Sequence, residues 1–384
     1  MKYTLTGPFV SDYHGSVRYL EKQIRKDLAK KMVFVAGPRQ VGKTTLAKSF
    51  LSSEDHYLNW DDDADREKIL KKEFSQKSGI LVLDEIHKYR GWRNYLKGSY
   101  DKLKNHFSFL VTGSAKLDIY RFGGDSLQGR YFLLRMHPLS LAEIGAKQEA
   151  LDQLVRYGGF PEPFYGQDEI DAKRWSQNYR TRLIREDITT LEQVGDLGRL
   201  ELLYLRLPDL VGSPLSINAL REDLQVHFTT VSKWIQILEK MVAIFRVAPF
   251  GPPRIKSVKK EQKHYHSDWT LVENEGPRFE NLVACHLLKW VHWKQDAFGE
   301  KWELRYFRDF LGREVDFVVV DKAKPLLFVE CKLSDEPVNP ALVYLKSKFP
   351  DTPAFQISLK GKKDYVSHDG IRVCPAIRLL EQWI

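Results

Sequence analysis

The chain is 384 residues long, 43% hydrophobic and 29% charged, with a formal net charge of +9. That composition excludes a disordered, collagen-like or fibrous chain, and the length accommodates two or three domains that each bury a core. Its three cysteines (Cys285, Cys331 and Cys374) are too sparse for a disulfide framework or a cysteine metal site, and neither a membrane-length apolar run nor a signal-peptide core is present. A cytoplasmic protein without a membrane partner is expected, and the basic excess leans towards a polyanionic one.

Across the first ~200 residues, short apolar runs alternate with helical patterns, as in parallel α/β domains. Strands are predicted at 32–36, 56–60, 79–85, 107–113 and 131–136. Residues near 200–250 switch to helical periodicity and end in a short strand. Beyond "PFGPPR" (249–254) the chain becomes aromatic and basic, then apolar with interrupting acids. Linkers are expected near 195–200 and 250–258, which divides the chain into 1–197, 198–253 and 254–384.

"AGPRQVGKTTLAKSF" (36–50) places Gly37, Gly42, Lys43 and Thr44 in G-x-x-x-x-G-K-T spacing between a predicted strand and a predicted helix. In that context the glycines let the backbone of 38–44 curl around phosphate oxygens at the positive end of the helix. Gly37, Pro38, Arg39, Gln40, Val41, Gly42, Lys43, Thr44 and Thr45 are the expected nucleotide cradle. Lys43 is expected to reach the β/γ-phosphates, and the Thr44 hydroxyl to hold Mg²⁺. The apolar strand "GILVLDEIHK" (79–88) ends in Asp84 and Glu85, where open α/β sheets meet their ligands. Asp84 is the expected Mg²⁺ partner and Glu85 the residue that polarises the attacking water. "FSFLVTGSAKL" (107–117) puts Thr112 and Ser114 at another strand end, where a hydroxyl senses the γ-phosphate.

With "TGSAK", "SLQGRYFLLRMHPLSLAEI" (126–144) and "YGGFPEPF" (157–164), these segments resemble a prokaryotic AAA+-type ATPase family over residues ~15–165. The resemblance implies ATP and Mg²⁺ as cofactors, a homo-oligomer, and an arginine reaching the site from a neighbouring subunit. Arg130 is the first candidate for that arginine and Arg185 in "YRTRLIRED" (179–187) the second.

In "SINALREDLQVHFTTVSKWIQILEKMVAIFRVAPF" (216–250), Val231, Trp234, Ile235 and Leu238 follow i, i+3, i+4, i+7 spacing, so one helix face is predicted buried. Thr229, Thr230, Lys233 and Gln236 are predicted exposed. Helix–turn–helix followed by a strand resembles a winged helix, used either for DNA reading or for domain packing. The basic run "RIKSVKKEQKHYH" (254–266) favours DNA, with Lys259, Lys260 and Lys263 expected to neutralise phosphates.

"GREVDFVVVDKAKPLLFVECKLS" (312–334) reads as a hairpin turning at 321–325, with Val320 facing Leu326 and Asp316 opposite Glu330. Facing carboxylates repel unless a cation separates them, and Lys332 falls on the same face. Asp316 with Glu330–Cys331–Lys332 resembles the PD-(D/E)XK nuclease superfamily, and "EGPRFENLVACHLLKW" (275–290) supplies the matching helix glutamate, Glu280. That resemblance implies a metal held by Glu280, Asp316 and Glu330, with Asp316, Glu330 and Lys332 in catalytic roles. One departure is Thr270 in "KHYHSDWTLV" (263–272), where glycine is usual. The expected architecture is thus an α/β P-loop AAA+-like ATPase domain, a helical or winged-helix middle segment and a restriction-endonuclease-like α/β domain.

Overall fold

The computed structural model of the protein describes residues 18–74, 78–114, 127–188, 195–251 and 262–384. Its first sheet has β1 (Met32–Gly37), β2 (Tyr57–Asn59), β3 (Gly79–Asp84), β4 (Phe107–Ser114) and β5 (Tyr131–Arg135). All neighbouring pairs run parallel, in the order β2-β3-β4-β1-β5. Every residue of β1 is buried, as a central parallel strand covered on both faces requires. Val33 and Val35 pack with Leu20, Ile24 and Leu28 around α1 (Glu21–Leu28), whereas Phe34 and Ala36 pack with Trp92 and Leu96. Helix α2 (Lys43–Lys48) follows β1 after a tight loop.

A helical segment follows: α3 (Leu141–Ile144), α4 (Gln148–Tyr157), α5 (Glu169–Arg182), α6 (Leu197–Arg206), α7 (Ile217–Leu224) and α8 (Phe228–Lys240). Ser216 caps α7 by accepting from the Ala219 N–H, and a left-handed Gln225 ends it, so three residues turn the chain into α8. In α8, Val231, Trp234, Ile235 and Leu238 are buried, Thr229, Lys233 and Gln236 are exposed and Thr230 is half-buried.

The C-terminal part is built on one long helix, α9 (Glu275–Phe298), and an eight-stranded sheet. Its strands are β6 (Ile244–Phe250), β7 (Lys263–His266), β8 (Trp302–Arg308), β9 (Glu314–Asp321), β10 (Lys324–Lys332), β11 (Ala354–Ser358), β12 (Tyr365–Val366) and β13 (Arg372–Pro375). Strand β6 pairs with β7 on one side and with β8 on the other. The position expected to be a linker, 250–258, therefore lies between two strands of one continuous sheet, and residues 252–261 are outside the described ones. One face of β9–β10 (Phe317, Val319, Val329) packs on α9, and the other (Val318, Val320, Phe328) on α10 (Pro340–Lys348).

The hairpin turns more tightly than predicted. Asp321 pairs with Lys324 around a two-residue turn, Lys322 is left-handed, and Val320 faces Pro325 rather than Leu326. An irregularity at Leu326 absorbs the extra residue and sends its side chain to the α9 face, after which Val319 pairs with Leu327 and Phe317 with Val329. The bulge restores the expected register by Phe317 and Val329, the pair next to Asp316 and Glu330.

Candidate functional site

The loop from β1 into α2 is shaped by close approaches. A Cβ at Gly37 would lie 2.3 Å from the Met136 carbonyl oxygen, and Gly42 has φ 95°. Pro38 has no N–H and contributes its carbonyl: Lys43 Nζ donates to Pro38 O at 2.6 Å and Gly37 O at 3.1 Å. The ammonium is thereby held over the loop. Arg39 reaches Glu186 at 3.3 Å, Gln40 is left-handed, and Val41 is buried. Thr45, the third residue of α2, is exposed.

Asp84 is 3% exposed and gathers three hydroxyls. Thr44 Oγ1 and Tyr57 Oη donate to Oδ2 at 2.7 and 2.8 Å, and Thr112 Oγ1 donates to Oδ1 at 2.6 Å. Burial and the adjacent Asp84 carboxylate push the Tyr57 phenol up. Glu85 has φ 58°, and its carboxylate stands 3.2 Å from Lys88 Nζ and 3.7 Å from His87 Nε2. Burial raises the Glu85 carboxyl above its ordinary range, against the pull of Lys88 and Lys43. Lys88 also reaches Asp61 at 2.5 Å, and Ser114 Oγ lies 3.1 Å from His87 Nε2. A Thr44 hydroxyl against Asp84, a lysine over a glycine-shaped loop and a nearby glutamate form a donor set that fits a nucleotide triphosphate with Mg²⁺.

Arg130 stands at the start of β5, and its carbonyl accepts from Met32, the first residue of β1. The phosphate loop begins at the far end of β1, so about 17 Å of strand separates the two. In this chain Arg130 pairs with Asp101 at 3.0 Å. Arg185 pairs with Glu201 at 3.3 Å in the segment after α5, on the same side as the phosphate loop. Arg182 of α5 went unnoticed in the sequence. With Arg39, Gln40, Tyr179 and Leu183 it lines a crevice of about 50 Å³ against the loop. Only the third dimension brings α5 there.

Arg18 is a second residue that periodicity does not reveal. Its guanidinium donates to Val41 O (2.7 Å) in the phosphate loop, to His137 O (2.6 Å) and to Glu143 Oε1 (2.8 Å). Glu143, in α3, also receives Lys289 of α9, which donates further to Pro138 O and Ser140 Oγ, both at 2.9 Å. Burial would raise the Glu143 carboxyl, yet Arg18 and Lys289 draw it down to about 2. Burial pulls Lys289 down to about 8. Lower on α9, His292 Nδ1 lies 2.8 Å from His137 Nε2, and Asp296 binds Arg135 at 2.6 Å.

The expected metal set of Glu280, Asp316 and Glu330 is spread over separate partners in this structure. Among the described residues, no three His, Cys, Asp or Glu side chains are grouped to hold a metal ion. Asp316 and Glu330 are adjacent: the Asp316 N–H donates to Glu330 Oε2 at 3.3 Å, and the Cys331 N–H to Asp316 Oδ2 at 2.9 Å. Glu330 is drawn towards α10 by Asn339 (2.5 Å) and Lys332 (3.0 Å). Glu280 comes from α9 and is held by Tyr265 Oη (2.7 Å) and Lys263 Nζ (3.3 Å), the same ammonium that lies 3.9 Å from Asp316. Burial and the neighbouring carboxylates raise Asp316 well above its ordinary range. Lys263 is fully buried among acids, so its expected role in neutralising phosphates is corrected here. Lys259 and Lys260 lie outside the described residues.

The parallel order that sets β1 between β4 and β5, with Thr44 bonded to Asp84, defines a P-loop nucleoside triphosphatase site. Residues 29–145 match the family model "AAA domain", so this part of the chain is similar to AAA-type P-loop ATPase domains. Residues 148–274 and 275–379 match two models described as domains of unknown function, DUF8612 and DUF4143. An uncharacterised protein of Mycobacterium tuberculosis is 25% identical over 244 residues, covering 63% of this chain and 55% of that protein. The chain thus spans about half the length of this relative. An uncharacterised protein of Methanocaldococcus jannaschii is 21% identical over 358 residues, covering 82% of this chain and 79% of the relative. Among solved structures, the Aeropyrum pernix ORC1 protein in complex with DNA aligns with a TM-score of 0.34 and 14% identity, over 70% of this chain and 94% of that one. A STAND ATPase with a tetratricopeptide repeat sensor from Pyrococcus horikoshii aligns with a TM-score of 0.23 and 14% identity, over 76% and 48%. No helix among the described residues is long and apolar enough to cross a membrane.

Proposed function

We propose that this protein hydrolyses ATP and couples its nucleotide state, through α9, to a DNA-associated helical and C-terminal part. The observation that carries the coupling is the buried chain Val41 O–Arg18–Glu143–Lys289, which joins the phosphate loop to α9. Mg²⁺ held by Thr44 and Asp84 would neutralise charge developing on the phosphates. Lys43 binds the phosphates, Glu85 orients the attacking water once it leaves Lys88, and Ser114 with His87 lies next to that carboxylate. Arg130, too far from its own phosphate loop, serves the loop of a second copy in a homo-oligomer, with Arg185 the alternative.

DNA association rests on the net charge of +9 and on α7–turn–α8, where Thr229, Lys233, Gln236 and Lys240 form an exposed polar stripe before the β6–β7 pair. No hydrolytic step is assigned to Asp316, Glu330 and Lys332, because their surroundings do not fit a cation. The closed state of that cluster favours a second reading, a nucleotide-switched protein-interaction ATPase whose C-terminal domain is a scaffold. ATP turnover with and without duplex, single-stranded and branched DNA separates the two. Stimulation by any DNA form supports the first, and turnover indifferent to all three supports the second.

A further inference from the structure

We infer that Lys263 is the built-in counter-ion of the C-terminal carboxylate cluster and takes the place a divalent cation would fill. Its side chain is 1% exposed, and Nζ lies 2.5 Å from Glu314, 3.3 Å from Glu280 and 3.9 Å from Asp316. The Tyr306 ring closes one side, with its centroid 5.3 Å from the ammonium. Burial alone would push the Lys263 ammonium down, but Glu280, Asp316 and Glu314 raise it, so it stays charged. Like-charged carboxylates gathered in a low-dielectric setting need a positive partner, and this one is covalently fixed at full occupancy.

A second, independent feature closes the cluster. A Cβ at Gly212 would lie 3.0 Å from Glu280 Oε2, so the backbone after α6 sits directly over that carboxylate. The same segment is tied to β7: Pro214 bridges to Lys263, and the Leu215 N–H donates to Gln262 O. A phosphodiester approaching Glu280 meets backbone there. The cluster is an ion-pair clasp that binds the helical middle segment, α9 and β9 together, and its ligand is the chain's own lysine.

The proposal is independent of ATP hydrolysis, because the test uses the full-length protein without nucleotide and counts bound Mn²⁺ by electron paramagnetic resonance. Wild type and Asp316→Asn are expected to bind the same number of ions. Lys263→Met is expected to gain one Mn²⁺ per chain, lost again in Lys263→Met/Asp316→Asn, and to melt at a higher temperature when Mn²⁺ is added. One ion more in wild type than in Asp316→Asn overturns the proposal, as does a folded Lys263→Met that gains none. Should Lys263→Met fail to fold, the comparison of wild type with Asp316→Asn still decides.

Discussion

Replacing Lys289 by methionine tests whether α9 speaks to the phosphate loop. Lys289 touches no residue of that loop, but its ammonium shares Glu143 with Arg18, and Arg18 holds Val41 O. Methionine keeps the aliphatic volume and deletes three donated hydrogen bonds, to Glu143, Pro138 O and Ser140 Oγ. Removing one partner of a buried pair costs about 3–5 kcal/mol, because the other charge is left under-compensated. If about 1.4 kcal/mol of that reaches the loop as Arg18 swings towards Glu143, ATP affinity falls about tenfold. Adding Glu143→Gln also strips Arg18 of its carboxylate, so the double variant should bind ATP no better than Lys289→Met, a coupling readable as a double-mutant cycle. Fluorescent-nucleotide titration and urea unfolding of the three variants supply the data. A Lys289→Met protein that is destabilised yet binds ATP within twofold of wild type would make the contact purely structural and refute the coupling.

Other consequences are equally direct. Lys43→Ala should lose ATP binding and turnover, whereas Glu85→Gln should keep ATP bound and lose turnover; wild-type hydrolysis by Glu85→Gln removes Glu85 from its role. Arg130→Ala should bind nucleotide but not turn it over, and mixing it with Glu85→Gln subunits should restore part of the activity. No rescue in verified mixed oligomers points to Arg185 instead. The Glu143 carboxyl, held at about 2 against an ordinary 4.5, contributes stability that is complete above pH 4.5 and lost as pH falls towards 2. That loss amounts to ~3 kcal/mol, and Glu143→Gln should flatten the acid limb of a urea-midpoint-versus-pH curve.

The parallel sheet was legible because its central strands are short apolar runs with chemically marked ends, Gly37 closing β1 and Asp84 closing β3. The adjacency of Asp316 and Glu330 was also legible, although the predicted turn was wrong: the hairpin is tighter and Leu326 bulges, which leaves the register at Phe317 and Val329 as expected. What the sequence hid were partners brought in from distant elements. Arg18 lies 125 residues from Glu143 in the chain, and Lys289 a further 146 away, so no local spacing links them. Lys263 misled for a related reason. It is the last lysine of a basic run that reads as a phosphate-binding surface, but β7, although last in the sheet, is buried throughout and turns this one lysine into the acids. Arg182 is a surface arginine by sequence, and only the path of α5 brings it beside Gln40.

The central claim is that nucleotide at the phosphate loop is felt along α9. Hydrogen–deuterium exchange of full-length Glu85→Gln, with and without ATP and Mg²⁺, tests it most directly. The account predicts altered protection at residues 37–44 together with residues 286–296 of α9, which carry His286, Lys289, His292 and Asp296. Altered protection confined to the phosphate loop and its neighbouring strands, with α9 unchanged, would contradict it.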